Sequence, residues 1–182
     1  VKRGKLNLLF DVGLCTERSL GASHVFVSHG HTDHVGAIFS HARGRSLSAP
    51  PANYYVPANA VEPLQAAHRA FEQLDSLDGE EIPMKLQALK PGDAVALDAN
   101  HTLHAFGTDH RVPSLGFYIV KREKKGLLPQ YAKLARDELI ALKNKGVDIQ
   151  PTTESIELCF TGDTVRAVPS SAVLCVVHSL LN

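Results

Sequence analysis

Ser28-His29-Gly30-His31-Thr32-Asp33-His34-Val35-Gly36 is the stretch that decides how this chain is read. It places three histidines and a carboxylate within six residues, directly after the strand-like run Val25-Phe26-Val27. Imidazole nitrogen and carboxylate oxygen together suit divalent transition metals, zinc foremost. Small Gly30 and Thr32 let alternate side chains turn to one side of a tight loop, so His29 and His31 serve one metal. Asp33 and His34 follow as the pattern turns helical through Val35, Ala37 and Ile38, so they face a neighbouring site.

One loop cannot close two coordination shells, so further ligands are expected on loops at the same ends of neighbouring strands. His110, in Gly107-Thr108-Asp109-His110, follows the strand pattern at 103–106, and Asp163, in Thr161-Gly162-Asp163-Thr164, follows the one at 156–160. A carboxylate has two oxygens and bridges two cations, whereas a neutral imidazole has one free nitrogen. Asp163 is therefore the bridging candidate. Asp11, in Phe10-Asp11-Val12-Gly13, reads either as a hydrogen-bond partner of the metal loop or as a turn former. His24, His41, His68, His101 and His104 lack comparable neighbours and read as structural or surface residues.

The remaining sequence bounds the class. The chain has 182 residues, 44% of them apolar, and its 19 basic residues cancel 19 acidic ones, which suits one domain with a real core. No window approaches the roughly 18 apolar residues of a membrane span, and the opening residues run into a strand pattern, so a soluble intracellular protein is expected. Cys15, Cys159 and Cys175 show no pairing pattern, which excludes a disulfide scaffold and suggests buried thiols. Buried strands are expected at Leu6–Phe10, 25–27, 156–160 and 173–177, with half-buried ones at 103–106 and 115–120.

Two helices stand out. One is capped by Asn59 with Glu62 and carries Val61, Leu64, His68, Phe71 and Leu74 on one face; the other carries Tyr131, Leu134, Ala135, Leu139 and Leu142 and stops at Gly146. Strands interleaved with helices imply a layered α+β or α/β sandwich. Between 121 and 145, eight basic residues face three acidic ones, a local net charge of +5 in a neutral protein. Lys121, Arg122, Lys124 and Lys125 open that stretch, read as a short helical arm (121–150) that contacts RNA phosphate.

These motifs in this order make the chain resemble the metallo-β-lactamase-fold hydrolases, and within them the ribonuclease Z (tRNA 3′-processing endonuclease) branch. The resemblance rests on Phe10-Asp11-Val12-Gly13, the H-x-H-x-D-H signature from His29 to His34, His110, and Thr161-Gly162-Asp163-Thr164. It implies an α+β, four-layer αβ/βα sandwich spanning 1–182 as a single domain. It implies that metal one takes His29, His31, His110 and Asp163, and metal two takes Asp33, His34, Asp163 and a further C-terminal histidine. Asp33 would also accept the proton of the attacking water. One or two Zn2+ ions are expected, with Mn2+ open. Precursor tRNA is the expected partner, with no membrane and a homodimer left open.

The family continues past its fourth motif to a histidine in an H-x-S-x-R-Y context, so the fold is expected to be incomplete at the C-terminal end. His178 is the one residue here that could imitate that ligand. Two other readings stay open: a small-molecule hydrolase of thioesterase or lactonase type, and a non-catalytic metal- or RNA-binding paralogue.

Overall fold

Short apolar runs become the middle of two packed sheets, and the loops leaving them open at one shared edge. The computed structural model describes residues 1–3, 6–75, 81–165 and 175–176. Strands β1 (Lys2–Arg3), β2 (Leu6–Phe10), β3 (His24–Phe26), β4 (Asn53–Pro57) and β5 (Lys85–Leu89) form the first sheet in that order, and β2 to β5 run parallel. Parallel neighbours need long connections, which contain α1 (Glu17–Leu20), α2 (Thr32–Val35), α3 (Ile38–Ser46) and α4 (Val61–Leu74).

The second sheet holds β6 (Ala94–Ala96), β7 (His101–Thr108), β8 (Ser114–Lys124) and β9 (Thr152–Phe160) as antiparallel neighbours, with β10 (Cys175–Val176) parallel to β9. The fifth helix, α5 (Arg136–Asn144), lies between β8 and β9 in the chain. No helix among the described residues is long and apolar enough to cross a membrane.

Side-chain alternation sends neighbouring residues of β3 and β4 into different cores. Val25, Val27, Tyr54 and Val56 pack under Ile38, Phe39 and Ala42 of α3, with Val61 and Leu64 of α4 against them. On the opposite face, Leu8, Phe26 and Tyr55 meet Leu103, Phe117, Ile119 and Leu158 of the second sheet. Both faces of the parallel sheet are therefore covered at β3 and β4, which is why Val25-Phe26-Val27 and Tyr54-Tyr55-Val56 read as continuous apolar runs. Phe10, Phe26 and Tyr55 stack in sequence, with ring centroids 5.6 and 4.7 Å apart. That stack carries the inter-sheet core up to the residue before Asp11.

Two helix starts differ from the sequence expectation. Asn59 sits inside a 3₁₀ turn at Ala58–Ala60 that runs straight into α4, so Ala60 occupies the cap position and no side chain caps the helix. In the second helix Tyr131 belongs to a separate 3₁₀ turn (Pro129–Tyr131), and α5 begins only at Arg136. Glu138 accepts a hydrogen bond from the Ala135 N–H at 2.8 Å and fixes that start. The stop holds: Gly146 follows the helix with φ +76°, a conformation that disfavours side chains.

The basic stretch differs more. Lys121, Arg122 and Lys124 lie on strand β8, not on a helical arm, because β8 pairs with β9 out to Lys124 opposite Thr152. The pairing brings in Glu154 and Glu157 from outside the basic window, and Asp148 joins them from the segment before β9. Lys121 contacts Glu123 and Glu157, Arg122 bonds Glu154 at 2.6 Å, and Lys124 bonds Asp148 at 3.2 Å.

Candidate metal centre

Four loops converge where the strands end. Asp11 follows β2, His29 follows β3, His110 follows β7 and Asp163 follows β9. Backbone hydrogen bonds tie these loops together across the two sheets. Leu115 N–H donates to the Ser28 carbonyl at 2.9 Å, Val165 N–H donates to the Asp109 carbonyl at 3.0 Å, and Val12 N–H donates to the His34 carbonyl at 2.7 Å. Gly13 is required by closeness: a Cβ there would stand 1.7 Å from the Asp33 carbonyl oxygen. Gly162 is required twice, by φ +58° and by a Cβ that would meet the Ser28 side chain at 2.6 Å.

His29, His31 and His110 bring one ring nitrogen each to a common point. His29 Nε2 stands 2.9 Å from His31 Nδ1, and His110 Nε2 stands 3.3 Å from the same atom. A tetrahedral ion with ligand nitrogens at about 2.0–2.1 Å holds those nitrogens roughly 3.3 Å apart, and both separations from His31 Nδ1 are within a few tenths of an ångström of that. Burial, and then the neighbouring His34, pushes the His29 pKa down to about 4, so this imidazole is neutral near pH 7 and keeps its lone pair.

A second group overlaps the first. His29, His34 and Asp163 also come together, and His34 Nε2 lies 3.5 Å from Asp163 Oδ2 and 3.5 Å from Asp33 Oδ2. His29 belongs to both groups but has one nitrogen to give, because its Nδ1 lies 2.9 Å from Ser28 Oγ. Two cations therefore could not share His29, and a second would have His34, Asp33 and Asp163 within reach. Asp33 is 78% exposed and Asp163 36%, so carboxylate oxygens face the open side of the centre. A cavity of about 280 Å3 adjoins them, with Phe10, Leu14 and Phe160 as its apolar wall. A larger one, about 600 Å3 beside β2 and α1, shares no residue with the histidine cluster.

Asp11 holds this arrangement from behind. Its Oδ1 accepts the Ser28 N–H at 2.6 Å, while Oδ2 accepts the Ser28 hydroxyl at 2.9 Å and lies 2.6 Å from His34 Nδ1. The carboxylate only accepts, so the His34 proton is on Nδ1 and its lone pair is on Nε2, towards Asp33 and Asp163. Ser28 uses its proton on Asp11 and so accepts one from His29 Nδ1, which leaves His29 Nε2 free. One carboxylate thus sets the tautomers of two histidines. Its hydrogen bond raises the His34 pKa, against the effect of burial. Asp11 pays in backbone conformation, at φ +55°.

The structure brings together His29, His31, His34, His110, Asp33 and Asp163, the six residues singled out as ligands. Asp163 groups with His29 and His34 and not, at this spacing, with His31 and His110. Ser28 and Arg111 join the site without having any mark in the sequence. Lys125 continues from the edge of β8, and His178 lies outside the described residues.

No family model matches the chain. The chain is 33% identical over 164 residues to the chloroplastic tRNase Z TRZ2 of Arabidopsis thaliana, covering 88% of this chain and 44% of that protein. It is 32% identical over 160 residues to tRNase Z TRZ1 of the same plant, covering 87% and 56%. With the nuclear ribonuclease Z of Triticum aestivum it shares 33% identity over 151 residues, 81% of this chain and 82% of that one. The chain thus spans about half the length of the two Arabidopsis proteins. Among solved structures, the short form of human tRNase Z superposes with a TM-score of 0.57 at 18% identity, covering 93% of this chain and 62% of that chain. The architecture is the α+β metallo-β-lactamase fold.

Proposed function

The chain belongs to the ribonuclease Z family, and from that premise we propose that it carries the metal centre of an endonuclease that removes the 3′ trailer of precursor tRNA. The observation that carries this reading is the convergence of His29, His31 and His110 beside His34, Asp33 and Asp163. His29 Nε2, His31 Nδ1 and His110 Nε2 would hold one Zn2+; His34 Nε2 and Asp33 would hold another, with Asp163 shared between them. Mn2+ is the alternative ion. Cations held there would supply Lewis acidity and a nucleophilic water near neutral pH.

The protein's own part is positional and acid–base. Asp33, the most exposed carboxylate of the group, takes the proton from the attacking water as the phosphodiester is cut. Buried His29 and half-buried His34 hold their orientation through Ser28 and Asp11 while that proton moves. Lys121, Arg122, Lys124 and Lys125 contact phosphates away from the cut, which requires the first three to exchange carboxylate partners for phosphate oxygens. Those existing ion pairs are the observation that favours a second reading, a small-molecule hydrolase on the same fold.

Cleavage of a precursor tRNA with a 3′ trailer, followed across a salt series, tests the proposal. A protein that carries this chain together with the family's C-terminal histidine should release the trailer. Asp33→Asn should lose about 100-fold or more in rate. Alanine at Lys121, Arg122, Lys124 and Lys125 together should weaken tRNA binding and flatten its salt slope by about one unit for each phosphate no longer neutralised. An unchanged salt slope would move the preference to the small-molecule reading, and an undiminished rate in Asp33→Asn would remove Asp33 as the base.

A further inference from the structure

We propose that Arg111 binds the substrate's phosphate at the rim of the histidine cluster, and that loading the cluster with a cation is what frees it to do so. This rests on the phosphodiester reading above. Arg111 directly follows His110, is solvent-exposed, and places its Nε 3.3 Å from His31 Nε2. Two exposed carboxylates, Asp33 and Asp163, lie beside His34, whereas Arg111 contacts His31. A phosphodiester is repelled by the carboxylates, so a fixed positive charge at His31 gives it an orientation.

The coupling follows from donor counting. A guanidinium only donates, so the contact with His31 Nε2 needs a lone pair there and puts the His31 proton on Nδ1. Yet Nδ1 is the atom that meets His29 Nε2 and His110 Nε2 at 2.9 and 3.3 Å. A neutral imidazole has one lone pair. When Nδ1 gives it to a cation, the proton moves to Nε2 and faces the Arg111 N–H donor to donor. Arg111 then leaves His31 and presents its planar fork to an oxyanion, the geometry that suits phosphate. His31 would thus hold Arg111 while its Nε2 carries the lone pair and release it when Nδ1 serves a cation.

Inorganic phosphate is the probe, titrated calorimetrically into wild type, Arg111→Lys and Arg111→Ala, each zinc-loaded and zinc-free, with zinc content measured in parallel. Zinc-loaded Arg111→Ala should bind phosphate about tenfold or more weakly than wild type at equal zinc content, with Arg111→Lys between them. Zinc affinity should not fall in either variant, because the substitution removes a competitor for the His31 lone pair. Equal phosphate affinity in wild type and Arg111→Ala would overturn the proposal, as would a loss of phosphate binding that only tracks lost zinc. Weakened phosphate binding by a protein that leaves precursor tRNA uncut would keep Arg111 as an anion site and reject the tRNA reading instead.

Discussion

His31→Ala is expected to cost about 100- to 1000-fold in affinity for the first equivalent of zinc. A four-ligand structural site is worth about 10–16 kcal/mol, so each ligand contributes roughly 2.5–4 kcal/mol, which at ~1.4 kcal/mol per tenfold is about two to three decades. His31 is the right residue to remove because its Nδ1 is the atom that both His29 Nε2 and His110 Nε2 approach. It is also outside both sheets, so alanine there leaves the core as it is. His29→Ala would be a poorer test, since His29 is fully buried and its loss adds a cavity to the missing ligand. Competition against a chromophoric chelator measures the change. Equal affinity in the variant would mean that zinc, if bound, sits elsewhere.

The second large effect is expected at a residue that touches no metal. Asp11→Asn keeps the shape of the side chain and tolerates φ +55°, but replaces an acceptor with a donor. The amide oxygen can still take the Ser28 N–H, whereas the new NH₂ group would face the Ser28 hydroxyl and the His34 Nδ1–H. Relief comes from moving the His34 proton to Nε2, the atom needed for a cation. Metal affinity at the His34 position should fall about 10- to 100-fold. The first equivalent should change less, because Ser28 can still accept from His29 Nδ1 after its hydroxyl rotates. A two-site titration separates these steps, and the thermal midpoint checks that the variant folds. Unchanged affinity for the second equivalent would show that Asp11 does not set the His34 tautomer.

The sequence made legible what depends on neighbours in the chain. Val25-Phe26-Val27 reads as a strand because both its faces are buried, and the His29 to His34 loop reads as a metal site because its ligands are adjacent. His110 and Asp163 were legible through their positions just after strands. What depends on residues distant in sequence was hidden. Of the acids that pair with Lys121, Arg122 and Lys124, Glu123 lies inside the basic window, while Glu157, Glu154 and Asp148 lie beyond its end. A charge count over 121–145 therefore overstated the field of this face. Asp11 was visible only as one of two possibilities, since nothing local says that its carboxylate reaches Ser28 and His34. Ser28 and Arg111 carried no signal, because a serine before and an arginine after a histidine are ordinary neighbours. Asn59 misled for a local reason: it resembles a cap, but the preceding 3₁₀ turn already satisfies the helix entry.

X-ray absorption at the zinc edge of the loaded protein tests the central claim most directly. With one equivalent of zinc, the spectrum should show nitrogen and oxygen ligands at about 2.0–2.1 Å, with the outer-shell scattering of three imidazole rings. His31→Ala, loaded to the same level in excess zinc, should lose one ring's scattering. Cys15, the half-buried thiol in the loop after Asp11, would announce itself by a sulfur ligand at about 2.3 Å. A spectrum with sulfur in it, or with fewer than three imidazoles in wild type, would contradict a centre built on His29, His31 and His110.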